Sequence, residues 1–366
     1  MHMPDQDSLS RSIHRSPQNP LTNRVARSLR NLKLKDASEA NAMIPLSCAD
    51  YTFPLLARER RLALIALLGF DFVDLGIFER SDGLRPSQLI AEPKKFARQL
   101  KRDLMRAGLG VADVFLQTGL RPADSPVNDS DLNVRADNRK KFLLALDLCA
   151  EIDCNHLTGL PGFVSRNEDE NDSSKRAVEE TDWRLRVTSH AGICYAVKPH
   201  VESICSNMAE VRSLLDELPG LTLTLDYAQF VSQKICSRDV HDLLPFASHL
   251  HVRGGASSKL QTPLERNQID FCGMVRRLRK SGYKGFLAIA YLRDAWRRCD
   301  RTDNLSETIL LRRRLAAYWQ EETVETDRLP GRPPCTQADR EGSRGAPVTW
   351  KASSRDGGMN GTQEND

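Results

Sequence analysis

A chain of 366 residues, 40% hydrophobic and 28% charged, can bury a sizeable core, and one barrel of about 250 residues with tails fits it as well as two domains do. Its net charge of +4 is mild, and no basic stripe with interleaved aromatics runs through the periodic region, so nucleic-acid binding is disfavoured and small-molecule chemistry is expected. The nine cysteines stand singly without a C-x-x-C pair, and no apolar run is long enough to span a bilayer. This argues against a zinc ribbon, a disulfide framework and a membrane span, and for buried thiols in a reducing, cytoplasmic setting.

In chain order, residues 1–40 are polar and basic and read as a disordered arm. The acid-free stretch from Ser8 to Lys35 bears only a weak resemblance to a transit peptide. The body, 41–322, alternates short apolar runs of strand character with segments of helical period. "MIPLSCA" precedes the helical "LLARERRLALIALLG", and "FDFVDLGIF" follows it. "LGVADVFLQ" comes after the helix "KKFARQLKRDLMRAG", and "DCNHLTGLPG" after "NRKKFLLALDLCAEI". The charged "SRNEDENDSSKR", Ser165 to Arg176, reads as an elaborated loop. Beyond it come "GICYAVKPH", "LTLTLDYAQF", "SHLHVRGG" and "GFLAIAYL", with helices such as "NMAEVRSLLDEL" and "DFCGMVRRLRKSG" between them. Residues 323–366, rich in Pro, Gly, Arg and Asp, read as a second disordered tail. Strand and helix alternating through eight units predict an α/β fold, a (β/α)8 TIM barrel.

In such a barrel chemistry collects at the C-terminal strand ends, and the polar residues of these runs are expected there. They are Asp74 and Glu79, His156, Lys198 and His200, Asp226 and Gln229, and His249 and His251 with Arg253. Arg253 beside Gly254 and Gly255 suggests a fork and exposed backbone N–H groups for a phosphate or carboxylate, as readily as a plain glycine turn.

The runs "GFDFVDLGIF", "PGLTLTLDYAQF", "SHLHVRGGASSKLQT", "SGYKGFLAIAYL" and the closing "DNLSETILLRRRL" resemble the xylose-isomerase-like TIM barrels, which include sugar phosphate isomerases and epimerases. The resemblance spans roughly Met43 to Trp319. It implies a divalent metal held by a Glu ending strand five, an Asp ending strand six, a His ending strand seven and a Glu ending strand eight. Asp226 and His251 match the aspartate and the histidine, but Lys198 and Ala290 stand where the glutamates belong, and Gln229 where a further histidine is usual. The metal set is therefore incomplete, and with Lys198 charged the positions left carry no net negative charge to hold a cation. The two glutamates would also have moved the proton beside the carbonyl, so their loss removes that shuttle.

Read this way, Lys198, His200, Asp226 and His251 are the candidate catalytic residues, and His156, Gln229 and Arg253 the candidate substrate contacts. No cofactor is expected; Mn, Co, Mg or Zn enters only where other residues, Glu168 or Glu170 for example, complete the site. Lys198 can stand as a built-in cation beside Asp226, point into solvent, or act as a Schiff-base nucleophile, and Glu202 and His200 remain as substitute acid and base. The expected partner is a small-molecule carbohydrate, with neither nucleic acid nor membrane. The expected function is that of a sugar isomerase or epimerase relative acting on or binding a sugar or sugar phosphate, the alternative being a non-catalytic carbohydrate-binding pseudoenzyme.

Overall fold

A computed structural model of the chain describes residues 45–79, 84–165 and 168–320. The two tails of the sequence reading lie outside these residues. Eight strands, β1 (Leu46–Ala49), β2 (Phe72–Phe78), β3 (Gly110–Gln117), β4 (His156–Gly159), β5 (Cys194–Val197), β6 (Thr222–Asp226), β7 (Ala247–Val252) and β8 (Leu287–Ile289), close in sequence order into a barrel. Every neighbouring pair, including β8 with β1, is parallel. The connecting helices are α1 (Arg58–Leu67), α2 (Pro86–Ala91), α3 (Pro93–Ala107), α4 (Leu132–Glu151), α5 (Glu170–His190), α6 (Met208–Glu217), α7 (Tyr227–Val231), α8 (Ser237–Val240), α9 (Phe271–Ser281) and α10 (Asn304–Gln320).

Alternation along the strands sorts the core into two compartments. Val73, Leu75, Val114, Leu157, Val197, Leu225, Leu250 and Ile289 share one apolar cluster with the buried faces of the helices, Leu100, Phe142, Leu214, Met274 and Leu311 among them. The residues between them meet one another across the barrel interior. Thr158 of β4 bonds Thr224 of β6 at 2.6 Å, and His249 of β7 reaches Asp74 of β2 at 2.7 Å. The barrel is thus filled by a polar layer under an aromatic one, in which Tyr51, Phe78 and Phe115 pack together.

Two register shifts decide which side chains turn inward. Val73 pairs with Val111 but Asp74 with Asp113, so Ala112 is an extra residue in β3. Leu223 pairs with Ala247 but Thr224 with His249, so Ser248 is the extra residue in β7. A bulge of this kind re-aims its neighbours. Here it sets Asp113 inside the barrel with Asp74, and it turns Ser248 inward beside His249.

The charged stretch read as an elaborated loop is different in the structure. From Glu170 onward it is the first turns of α5, started by the Asp169 side chain accepting from the Asn171 N–H at 2.8 Å, with Glu170 and Asp172 at the positive end of the helix. Ser173 and Ala177 are the buried positions of these first turns. Likewise "YAQF" does not extend β6: Asp226 caps the short α7 through the Ala228 N–H at 3.1 Å. Among the described residues no helix is long and apolar enough to cross a membrane.

Candidate functional site

The residues at the C-terminal ends of β5, β6 and β7 meet at one carboxylate. Asp226 Oδ2 lies 3.1 Å from Lys198 Nζ and 2.9 Å from Arg253 Nη2, and all three side chains are buried. Burial alone would push the Asp226 carboxyl up, but the Arg253 and Lys198 cations hold it down to about 2. For Lys198 burial is the largest influence and lowers it, Asp226 raises it, and Arg253 lowers it again; the balance is about 8. Phe115 lies beneath the ammonium, its ring centre 5.3 Å from Nζ.

Lys198 also fixes the tautomer of His251. An ammonium only donates, so at 2.7 Å from Nδ1 it makes that nitrogen the acceptor. Nε2 then carries the hydrogen and points it at Asp74 Oδ2, 3.3 Å away. Burial and then the Lys198 charge bring His251 down to about 4, so the ring is neutral.

Arg253, expected to contact substrate, is committed within the protein. Besides Asp226 it donates to the carbonyls of Ala290 and Leu260, each at 3.3 Å. The glycine pair offers no anion cradle either: the Gly254 N–H donates to Tyr291 Oη at 3.2 Å and the Gly255 N–H to Asn267 Oδ1 at 3.1 Å. Ala290 brings only a buried methyl group and its backbone to the site.

His200 is buried in the loop after β5, where its Nδ1 donates to the Val201 carbonyl at 2.7 Å and its ring packs at a tilt against Phe163, ring centres 5.1 Å apart. Its Nε2 has no hydrogen-bond partner among the described residues. Burial, and then the nearby Arg297 charge, bring it down to about 3, so Nε2 presents a lone pair. Gln229, on α7, closes this loop by accepting the Val201 N–H at 3.2 Å. Glu202 is exposed, Glu170 is exposed on α5, and Glu168 is held by Arg176 and Ser173, so none of the three completes a metal set with Asp226 and His251. Arg297, in the loop after β8, was not singled out by sequence, yet its charge bears on both Lys198 and His200.

His156 does not sit at this end of the barrel. It is the first residue of β4, at the N-terminal pole, with Nδ1 at 2.7 Å from Asp113 and Nε2 at 2.8 Å from Ser248 Oγ. The placement follows from strand length, since β4 runs on to Gly159 before its mouth is reached.

One layer below the strand ends lies a group of which the sequence reading named Asp74, His249 and His251 separately but not Asp113. Asp74, Asp113, His249 and His251 are all buried, and one ligand atom from each falls within 4.8 Å of the others. These four could hold a metal ion. Asp113 Oδ2 is buried without a hydrogen-bond partner, whereas Asp74 accepts from Ser47 Oγ at 2.6 Å and from His249 at 2.7 Å. The two histidines keep Asp74 ionised against the cost of burial. The strand-end position itself does not fit a cation, because Lys198 and Arg253 already occupy the field of Asp226. The signal in the sequence was alternation: Asp74, Asp113, His249 and His251 interrupt apolar strands at inward positions.

Residues 62–315 match the model of the xylose isomerase-like TIM barrels. The chain belongs to that family. An uncharacterized protein of Methanocaldococcus jannaschii is 27% identical over 168 residues, which is 43% of this chain and 61% of the relative's own length. A xylose isomerase-like TIM barrel protein from Mycobacterium smegmatis, solved in complex with magnesium, superposes with a TM-score of 0.59 at 13% identity, covering 76% of this chain and 97% of that one. A D-psicose 3-epimerase solved in the presence of D-fructose gives 0.59 at 14% identity over 75% and 99%. At such identities the structural likeness within the family concerns the fold alone.

Proposed function

We propose that the chain binds a sugar or sugar phosphate at the C-terminal end of the barrel, and does so without the metal-assisted proton shuttle of its relatives. The observation that supports this reading is the ion-paired trio Lys198–Asp226–Arg253, in which two buried cations stand against the one carboxylate, Asp226, that the resemblance reads as a metal ligand. The Lys198 ammonium can donate to a carbonyl or hydroxyl oxygen, and the His200 Nε2 lone pair can accept from a sugar hydroxyl. Held near 3, His200 is a good hydrogen-bond acceptor and a poor proton acceptor. Arg297 at the rim adds positive charge, which favours an anionic substituent such as a phosphate. The D-psicose 3-epimerase of the same fold, solved in the presence of D-fructose, makes a ketose a natural first ligand to try.

A second reading, a working metal-independent isomerase, is favoured by the low lysine value, about 8. An amine poised there can polarise a carbonyl as a cation or attack it as a free base. Calorimetric titration of chelator-treated protein with a panel of ketoses and ketose phosphates tests the first reading, with turnover followed on the same panel. Binding that survives chelation, is lost in Lys198→Met and comes without turnover is the expected result. Ligand binding that appears only on adding a divalent metal overturns it, and turnover in the chelated protein selects the second reading.

A further inference from the structure

Beneath the sugar site, Asp74 of β2, Asp113 of β3 and His249 and His251 of β7 meet in the barrel interior, one ligand atom from each within 4.8 Å of the others. Of the four, only His251 belongs to the strand-end set that the family resemblance implies; Lys198, Asp226 and Ala290 are not among them. The group is a separate site with its own ligands.

Its carboxylates are held from behind. Ser47 Oγ donates to Asp74 Oδ1 at 2.6 Å, and His156 Nδ1 lies 2.7 Å from Asp113 Oδ1, so each acid keeps its Oδ2 atom for another partner. Asp74 Oδ2 lies 2.7 Å from His249 Nε2 and 3.3 Å from His251 Nε2. Asp113 Oδ2 is buried and has no hydrogen-bond partner among the described residues. A desolvated carboxylate oxygen left unpaired close to a second carboxylate is costly, and a cation between the two acids removes that cost. The bulges serve the same arrangement, since the extra residue Ala112 in β3 is what turns Asp113 inward, and Ser248 in β7 sets the register of His249.

We propose that Asp74, Asp113, His249 and His251 form a structural site for a first-row divalent transition ion such as zinc or cobalt, which ties β2 and β3 to β7 through the barrel interior. The two carboxylates balance the charge of the ion. Two imidazoles with two carboxylate oxygens suit such an ion better than magnesium or calcium, which prefer all-oxygen shells. With every position filled by a protein side chain, the set has the closed pattern of a structural centre and leaves no place for substrate. Around a tetrahedral ion with bonds of about 2.1 Å, ligand atoms stand roughly 3.4 Å apart, so the widest pair closes by at most about 1.4 Å, within reach of side-chain rotation. The ion takes the place of the imidazole hydrogens aimed at Asp74. These Nε2 hydrogens leave to solvent, His249 takes one back at Nδ1, and His251 receives at Nδ1 the hydrogen that it accepts from Lys198, 2.7 Å away.

The test uses the full folded chain, stripped with a chelator and titrated with cobalt(II) while the visible spectrum is recorded. A single cobalt ion per chain should bind with the intense d–d bands of a four-coordinate ion, and the thermal unfolding midpoint should rise with cobalt concentration. Ser47→Ala, which removes only the hydrogen bond orienting Asp74, should weaken cobalt binding by about 10- to 100-fold, and Asp113→Asn, which removes a ligand charge, by more. Asp226→Asn alters the strand-end carboxylate instead and should keep the bands and an affinity close to the parent's. Circular dichroism without metal shows which variants are folded, and the parent spectrum with Ser47→Ala carries the test where Asp113→Asn is not. Failure of the parent to bind stoichiometric cobalt, weak six-coordinate bands, unchanged affinity in folded Ser47→Ala or Asp113→Asn, or loss of the bands in folded Asp226→Asn overturns the proposal.

Discussion

At Asp226 two cations share one carboxylate oxygen, and this makes the three residues unequal. Lys198→Met removes one positive charge from a buried site but leaves Arg253 to neutralise Asp226, so the loss is on the order of 1 to 3 kcal/mol. Asp226→Asn keeps the side-chain oxygen that caps α7, yet it leaves the Lys198 and Arg253 charges buried beside each other, and the cost rises to about 3 to 5 kcal/mol. Urea denaturation of the two variants measures the order, and a Lys198→Met loss as large as that of Asp226→Asn would show that Arg253 does not compensate. The sequence exposed the Lys198–Asp226 contact, because both residues end apolar strands that must be neighbours in a barrel. It hid the role of Arg253, since nothing in "HVRGG" tells an arginine that meets a ligand from one consumed by Asp226. Asp113 and Ser248 were hidden for a different reason: one bulged residue in β3 and one in β7 change which side chains face inward, while His156, read as a mouth residue, opens β4 at the other pole.

At the level of elements the alternation of strands and helices was legible throughout, since β-branched and aliphatic runs separated by amphipathic helices leave few other packings. What escaped was the short α7, whose apolar "YAQF" reads as strand, and the polar start of α5, whose buried side is only Ser173 and Ala177. The loop between β5 and α6 shows how elements set chemistry. Its far end is pinned by the capping box of Asn207 and Glu210, its middle by Gln229 on α7, and His200 is buried between. That burial links folding to pH. The folded value of His200, about 3, is below the ordinary histidine value near 6.5, so between these limits the unfolded chain binds more protons. Stability contributed above pH 6.5 is therefore lost as pH falls toward 3, at about 1.4 kcal/mol per pH unit for this one group. Urea midpoints measured from pH 7 to pH 4.5 should fall with this added slope, and His200→Gln should be distinctly less pH-sensitive than the parent. Equal slopes for the two proteins would mean that His200 is solvated or already charged.

Across the whole molecule the barrel backbone is a fixed frame, which makes the family's metal position a question of side chains alone. Rebuilding it requires Lys198→Glu and Ala290→Glu, since Asp226 and His251 already end β6 and β7 and register pairs β6 with β7 and β7 with β8. Arg253 complicates the count. Its guanidinium is 2.9 Å from the Asp226 oxygen that a metal would need, so the double variant gains two carboxylates but keeps one cation in the pocket. Lys198→Glu with Ala290→Glu should accordingly bind manganese more tightly than the parent, and adding Arg253→Gln should tighten it further, by about tenfold or more, because a buried positive charge no longer opposes the ion. Lys198→Glu alone should do little, because Ala290 still contributes no donor. The parent is the reference for all three, so any ion held by Asp74, Asp113, His249 and His251 below is subtracted. Manganese titration by calorimetry reads the series directly. If the folded triple variant binds no more metal than the parent, Lys198 and Ala290 do not occupy the positions of the family's glutamates, and the reading of this site as one in which fixed cations stand in for a metal fails with them.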